Sequence, residues 1–414
     1  MSSLNRVRAQ ESEVFYNITV TVLIIRKTMS LNRTLIYFTS SFEATFSKSK
    51  IMKRKFHREL ISRNHADRKY GIVGVPFGKG QLKSGVGNAP EAIRAQKLLT
   101  DLNRMGYDVK DYGDVTYPAV ETAEKFDHNM KALEHIAACH KKVSEKVQDV
   151  MKDGRVCVTL GGDHSVSIGT IDGHVKARGN VAVLWVDAHA DLNTADTSLT
   201  GNIHGMPVAL LAKELSDYWP YIPGMDWQKP TLSIKQFAYI GLRSVDEYER
   251  VIMDKYSITA FGMEDIEYKG IVNVVNEALQ SIDPLSTLPL HVSFDIDCLD
   301  PLEAPSTGTP VRGGMSLREG IQVMEQAHRT GRLSAIDLVE VNPSIGDKRD
   351  VHLTIQAAKH LLQAVFGRQR RGNYPNDELV KLVNYNKLDK ETNVNPSGKE
   401  RTPRDLKQDK LFSR

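Results

Sequence analysis

Acidic and histidine residues of this chain gather in three short clusters: Gly161-Gly162-Asp163-His164-Ser165, Asp187-Ala188-His189-Ala190-Asp191 and Asp295-Ile296-Asp297. Each follows a short apolar run of the kind that forms a strand. In an extended chain, residues i, i+2 and i+4 project to one side, so Asp187, His189 and Asp191 converge, as do Asp295 and Asp297. Carboxylates packed this closely repel one another and take up protons unless a cation lies among them. Four aspartates and two histidines make a hard, oxygen-rich shell without thiolates, larger than the three or four ligands of a single zinc site. Two divalent ions sharing bridging carboxylates, Mn²⁺ before others, account for that count. Such a pair lowers the pKa of a shared water and yields a hydroxide nucleophile near neutral pH.

Taken singly, each cluster has a plainer reading. Asp-Ile-Asp at a strand end is usually a turn or a helix cap, and Gly-Gly-Asp-His a tight turn. Cys298 beside Asp297 reads as a small core residue, and Asp163 as a partner that fixes the His164 imidazole. Three such clusters on strand ends of one β/α chain are not explained by turns, and the metal reading prevails for the set.

The elements that must position these residues are legible as alternation. Continuous apolar runs at 70–75, 156–160, 181–186, 237–240, 290–294 and 335–339 predict parallel strands covered on both faces. Between them lie helical patterns, such as 131–151 with apolar positions at i+3 and i+4. Pro90 stands where a first helical turn should begin. A βαβ series of this kind predicts an α/β fold: one three-layer domain with a mostly parallel, doubly wound sheet. In such sheets ligands bind outside the carboxyl ends of the strands, where all three clusters fall.

The chain has 414 residues, 55 basic against 51 acidic, a net charge of +4 that gives no reason to expect nucleic acid as a partner. Cys139, Cys157 and Cys298 are odd in number and far apart, which fits a reducing compartment rather than a disulfide-built secreted protein. The Asn17 and Asn32 sequons matter only in a secretory setting. The longest apolar run, near 18–25, is too short to span a bilayer. Residues 1–67 hold twelve Lys or Arg, few acids and many hydroxyls, the composition of a mitochondrial transit peptide or a disordered arm. Met29 and Met52 read as candidate alternative starts. The mitochondrial matrix is therefore the expected location, with the cytoplasm as the alternative. The expected domain spans 68–367, and 368–414 is a polar, basic tail.

The three clusters, in this order, resemble the ureohydrolase superfamily, and within it the animal arginases. The likeness runs over about three hundred residues and includes "YGIVGVPFGKGQLKSGVGNAPEAIR", "GGDHS", "DAHADLN", "TGNIHGMP", "GLRSVD", "SFDIDCLDP", "STGTPV" and "VEVNPS". It implies an arginase/deacetylase-like fold and hydrolysis of L-arginine to L-ornithine and urea. One Mn²⁺ would be held by His164, Asp187, Asp191 and Asp295, and a second by His189, Asp187, Asp295 and Asp297, with Asp187 and Asp295 bridging. The family's hydroxide attacks the guanidinium carbon, with Asp191 helping to move its proton.

The resemblance also makes His204 the proton-transfer histidine, a role suited to imidazole because its pKa lies near working pH. Spacing alone leaves His204 equally as a helix-start residue before 208–212. Glu340 would orient the guanidinium, where otherwise it is a strand-end surface charge. Asn193 and Thr200 would meet the substrate's α-carboxylate, Thr200 standing where the family has Ser. Asp246 would meet the α-amino group, and Thr309 would line the guanidinium site. Two departures stand out: Asp196 adds a charge in the 194–199 loop, and Ser244 replaces an Asp common in arginases. Arg318 and Glu319 match a pair that joins subunits, implying a homotrimer. Other readings are an agmatinase or another guanidino-acid ureohydrolase, and a non-catalytic arginine-binding protein, whose mark would be lost ligands.

Overall fold

Strands form where the apolar runs predict them. In a computed structural model, which describes residues 68–104, 106–118, 120, 129–368 and 370, they join one sheet whose pairings are all parallel. The strands are β1 (Lys69–Gly74), β2 (Asp108–Asp114), β3 (Val156–Leu160), β4 (Ala182–Val186), β5 (Phe237–Leu242), β6 (Thr259–Gly262), β7 (Leu290–Asp295) and β8 (Leu333–Val339). Their order is β2-β1-β3-β8-β7-β4-β5-β6. The expected extension 1–67 and almost all of the tail 368–414 lie outside the described residues.

The two edge strands, β2 and β6, are the ones the apolar runs did not predict. β2 reads Asp-Val-Lys-Asp-Tyr-Gly-Asp and has no fully buried position, and β6 has four residues with one buried. An edge strand has only one neighbour, so it needs no apolar run, and charges there discourage pairing with another chain. The inner strands β3, β4, β5 and β7 are buried at every position.

Helices cover both faces. On one lie α1 (Ala89–Arg94) and α2 (Leu98–Arg104). α3 (Leu133–Lys152) lies opposite, burying Ile136, His140, Val143, Val147 and Val150 along one stripe beside α4 (Ser167–Arg178). Farther along are α5 (Pro207–Leu211), α6 (Glu247–Tyr256), α7 (Met263–Lys269), α8 (Ile271–Ile282), α9 (Leu317–Arg329) and α10 (Lys348–Val365). α7 to α10 share a core with α1 and α2, whereas α3 to α6 pack on the other face. Side chains along a strand alternate between these cores: Leu184 and Val186 face one, Val183 and Trp185 the other. Pro90 sits in the first turn of α1. Among the described residues no helix is long and apolar enough to cross a membrane.

The topology matters most at its centre. β3, β8, β7 and β4 are neighbours there, although they come from distant parts of the sequence. Their register is level: Leu160 pairs with Leu338, Phe294 with Leu338, and Val186 with Phe294. The residues just beyond those positions therefore emerge at one height on one edge, the carboxyl edge of a parallel sheet.

Candidate metal centre and substrate loops

That level edge presents Gly161 after β3, Asp187 after β4, Asp295 at the end of β7 and Glu340 after β8. The turn after β3 folds tightly because Gly162 lies against the loop after β1; a Cβ there would sit 1.6 Å from the Phe77 carbonyl oxygen. Asp163 then caps the turn 164–166, accepting from Ser165 N (3.1 Å) and Gly80 N (2.8 Å). It does not touch the His164 ring; its hydrogen bonds hold the backbone from which that ring projects.

His164 is buried and stacked on Trp185, ring centroids 4.1 Å apart. Its Nε2 meets Ser293 Oγ at 2.9 Å. Its Nδ1 lies 3.0 Å from Asp187, 3.1 Å from Asp191 and 3.2 Å from Asp295, yet forms no well-directed hydrogen bond to any of them. A buried nitrogen ringed by three carboxylate oxygens, with its other nitrogen engaged, has the arrangement of an imidazole aimed at a shared cation. His189 Nδ1 lies 3.2 Å from Asp297 and 3.4 Å from Asp187. Asp187 thus turns one oxygen toward each imidazole, as a bridging carboxylate does.

Among the described residues, two groups place ligand atoms close enough to hold an ion: His164, Asp187 and Asp191, and Asp187, His189 and Asp297. They share Asp187. Asp295 stands beside the first group, and its amide-side neighbour Asp297 donates its backbone N–H to Asp295 Oδ1 at 2.8 Å. Trp185 Nε1 donates to Asp187 Oδ2 at 3.1 Å.

The electrostatics call for positive charge. Burial, followed by repulsion from Asp297 and Asp187, pushes Asp295 well above the usual carboxylate range. Burial and then Asp187 raise Asp191 to about 6. Burial opposes charge on both imidazoles, but the facing carboxylates outweigh it and raise His164 well above its ordinary value and His189 to about 12. In the absence of metal the cluster balances itself only by holding protons, so a divalent cation pair fits this donor set.

Asp191 and Glu340 adopt left-handed backbone, φ 47° and 61°, which non-glycine residues rarely do. Such strain costs on the order of 1–3 kcal/mol per residue and persists where the surroundings enforce it. Here Val208 N bonds Asp191 O (3.1 Å) and Glu340 N bonds Gly162 O (2.9 Å), and both carboxylates turn inward.

His204 lies in a single turn, 203–205, ahead of α5, and its Nδ1 meets Glu340 Oε1 at 3.0 Å. That oxygen also accepts from His164 N at 2.9 Å. Burial opposes protonation of His204, but Glu340 outweighs it and lifts the imidazole to about 9. Glu340 is therefore buried beside the centre, not at the surface. Thr309 Oγ1 donates to Asp297 Oδ2 at 3.1 Å.

The expected substrate residues also meet. Asn193 Nδ2 donates to Asp246 Oδ2 at 2.9 Å, and Asn193 Oδ1 accepts from Thr197 Oγ1 at 2.9 Å. Thr200 is exposed, its hydroxyl accepting from Asn202 N at 3.2 Å, and Asp196 is exposed in the same loop. Arg318 is exposed at the start of α9, whereas Glu319 closes the cap of that helix, accepting from Ser316 N at 2.9 Å. All three cysteines are free and buried.

Sequence reasoning missed two partners. Ser293, on β7, meets His164 Nε2; it stands two residues before Asp295, so the i, i+2 spacing that aligns Asp295 with Asp297 was a signal for it too. Glu249 is buried and accepts from Leu192 N (2.8 Å) and Asp246 N (2.9 Å), tying the loop after β4 to the loop after β5. Burial raises its carboxyl to about 7. The Asp246-x-x-Glu249 spacing of a capping box was the available signal for it.

Comparison with known proteins agrees with this geometry. The Arginase family profile matches residues 68–367. The hepatic arginase of Aquarana catesbeiana is 44% identical over 306 residues, covering 74% of this chain and 94% of that protein. Mitochondrial arginase-2 of Homo sapiens is 40% identical over 329 residues, 79% of this chain and 92% of the relative. The native arginase structure from Bacillus caldovelox superposes with a TM-score of 0.66 at 33% identity, over 73% of this chain and 99% of that one. With its parallel sheet and the clusters on that sheet's carboxyl edge, this chain belongs to the arginase family.

Proposed function

We propose that the chain hydrolyses L-arginine to L-ornithine and urea at the centre on the carboxyl edge of its sheet. The observation that carries this reading is the pairing of Asn193 with Asp246 beside the two ligand groups. A guanidinium-cleaving centre alone would serve several substrates. An amide and a carboxylate joined on the loops after β4 and β5 offer hydrogen bonds to a carboxylate and an ammonium on one carbon.

His164, Asp187, Asp191 and Asp295 would hold one ion and His189, Asp187, Asp295 and Asp297 the other, with Mn²⁺ favoured by the oxygen-rich, thiolate-free donor set. When bound, such a pair supplies Lewis-acid activation of water near neutral pH. The protein's own residues do the rest. Glu340 pairs with the guanidinium and orients its carbon. Asp191 accepts a proton from the attacking water. His204, protonated at neutral pH by its pairing with Glu340, gives a proton to the departing amine of ornithine. Thr309 steadies Asp297 at the guanidinium side, and Thr200 offers its hydroxyl to the α-carboxylate.

Urea release from L-arginine, after chelation and reloading with Mn²⁺, tests the proposal. No urea with metal bound would overturn it, and a higher kcat/KM for agmatine would reassign the substrate.

Two further assignments belong to this reading. The mitochondrial matrix is supported by the basic composition of residues 1–67 and by relatives that include mitochondrial arginase-2 of human, mouse and rat. Organelle fractionation with N-terminal sequencing tests it. A homotrimer is supported by Arg318, which is exposed at the start of α9 with Glu319 beside it; light scattering in solution tests that.

A further inference from the structure

Arg243 follows β5 in the loop that carries Asp246, and its guanidinium is spent on main-chain carbonyls. Nη2 donates to Asp297 O at 2.7 Å and to Val311 O at 2.6 Å, with Leu299 O at 3.3 Å. Nη1 reaches Cys298 O at 3.2 Å and Gly241 O at 3.3 Å, and Nε reaches Val311 O at 3.2 Å. Only a planar fork with five donors can span carbonyls on several segments at once; an ammonium is a point charge with three donors. The fit is close on the far side as well, since a Cβ on Gly314 would lie 2.6 Å from Arg243 Nη2.

The segments so joined have separate tasks. The first, 297–299, carries Asp297, which faces His189. The second ends at Val311, two residues after Thr309, whose hydroxyl donates to that same Asp297 carboxylate. The third is the loop of Arg243 itself, which ends at Asp246 and its bond to Asn193. Asp297 is thus held at its carboxylate by Thr309 and at its carbonyl by Arg243, besides the bond from its own N–H to Asp295. The group formed by His164, Asp187 and Asp191 receives no bond from the Arg243 side chain.

We infer that Arg243 is a positioning residue that sets the affinity of one metal site, the His189 and Asp297 side of the centre, and ties that side to the substrate loop. This rests on the two-ion reading above. Every ligand can be present and the second ion still bind poorly if the backbone bearing Asp297 is free to shift, because outer contacts commonly change metal affinity by roughly 10- to 100-fold.

The test is a Mn²⁺ titration of chelator-stripped protein, with free ion followed by electron paramagnetic resonance, on the parent chain and on Arg243→Lys and Arg243→Met. The parent should take two ions. In Arg243→Lys the first ion should bind within about threefold of the parent and the second roughly 10- to 100-fold more weakly, with Arg243→Met at least as affected. If the parent takes two ions and both variants match it, or if both ions weaken together, the inference is overturned while the two-ion reading stands. A parent that takes fewer than two ions overturns that reading, and this inference with it. Should circular dichroism show that neither variant folds, Arg243 is a folding element and the inference fails.

Discussion

Asn193 and Asp246, fifty-three residues apart, meet through a 2.9 Å hydrogen bond from Nδ2 to Oδ2, with Thr197 fixing the other end of the amide. With its oxygen occupied by Thr197, Asn193 keeps one N–H to offer outward, which suits a carboxylate, and Asp246 keeps an oxygen for an ammonium. Replacing Asp246 by Ala should raise KM for L-arginine by roughly 10- to 100-fold, the scale of a lost hydrogen bond to a charged group. Agmatine keeps the amine that Asp246 meets but has no α-carboxylate, so it should lose the ammonium contact and escape the further loss caused by freeing Asn193 from Asp246, and Mn²⁺ content should not change. Parallel kinetics on the two substrates read the difference; equal losses would remove this pair from substrate discrimination.

In the proposed reading Asp191 accepts a proton as well as holding an ion, and its left-handed backbone turns its carboxylate toward His164. Asp191→Asn should lower kcat by about a thousandfold, roughly 4 kcal/mol of transition-state stabilisation, with a much smaller change in arginine binding. Single-turnover kinetics and equilibrium binding of L-ornithine separate the two effects. A variant with near-normal kcat would show that Asp191 takes no proton.

His204 is held protonated by Glu340 up to about pH 9. If it donates a proton to the leaving amine, kcat should fall on the alkaline side as pH passes through that value. His204→Asn should lower kcat by roughly 10²–10⁴-fold and abolish that limb. A pH–rate profile of both proteins checks this, and an unchanged alkaline limb in the variant would assign it to another group.

His140 is wholly buried against Ser165 Oγ at 3.0 Å, and burial depresses its imidazole to about 3. The unfolded chain binds this proton near the ordinary histidine value of about 6.5, and the folded chain does not until about pH 3. The unfolded state therefore holds more protons across that window, and stability should fall as pH drops below 6.5, by up to about 1.4 kcal/mol per unit from this residue. Above 6.5 its contribution is constant. Denaturation of metal-free protein between pH 7 and 4 should give a shallower slope for His140→Gln than for the parent.

Arg318 is exposed while Glu319 is engaged in its own helix cap. Charge reversal in Arg318→Glu should therefore shift a trimer toward monomer without unfolding the subunit, read by light scattering beside a thermal melt. Glu319→Ala should in addition lower the melting temperature, because losing a cap costs about 1 kcal/mol.

The sequence by itself determined the alternating α/β architecture, the inner strands and the three clusters that end them, because burial on both faces imposes apolar runs and strand ends impose the i, i+2 spacing. It left β2 and β6 unread, since edge strands carry no such requirement. Which carboxylate faces which imidazole was decided by the sheet, through the pairing of Val186 with Phe294 and Phe294 with Leu338. The same holds for Ser293 on His164, Glu249 between two loops, and Arg243 across 297–311. Local spacing marks Ser293 and Glu249 as residues to watch, but their partners His164 and Leu192 are remote in the chain, and a partner over such a distance leaves no periodic signal to read. Only assembling the sheet brings them within reach.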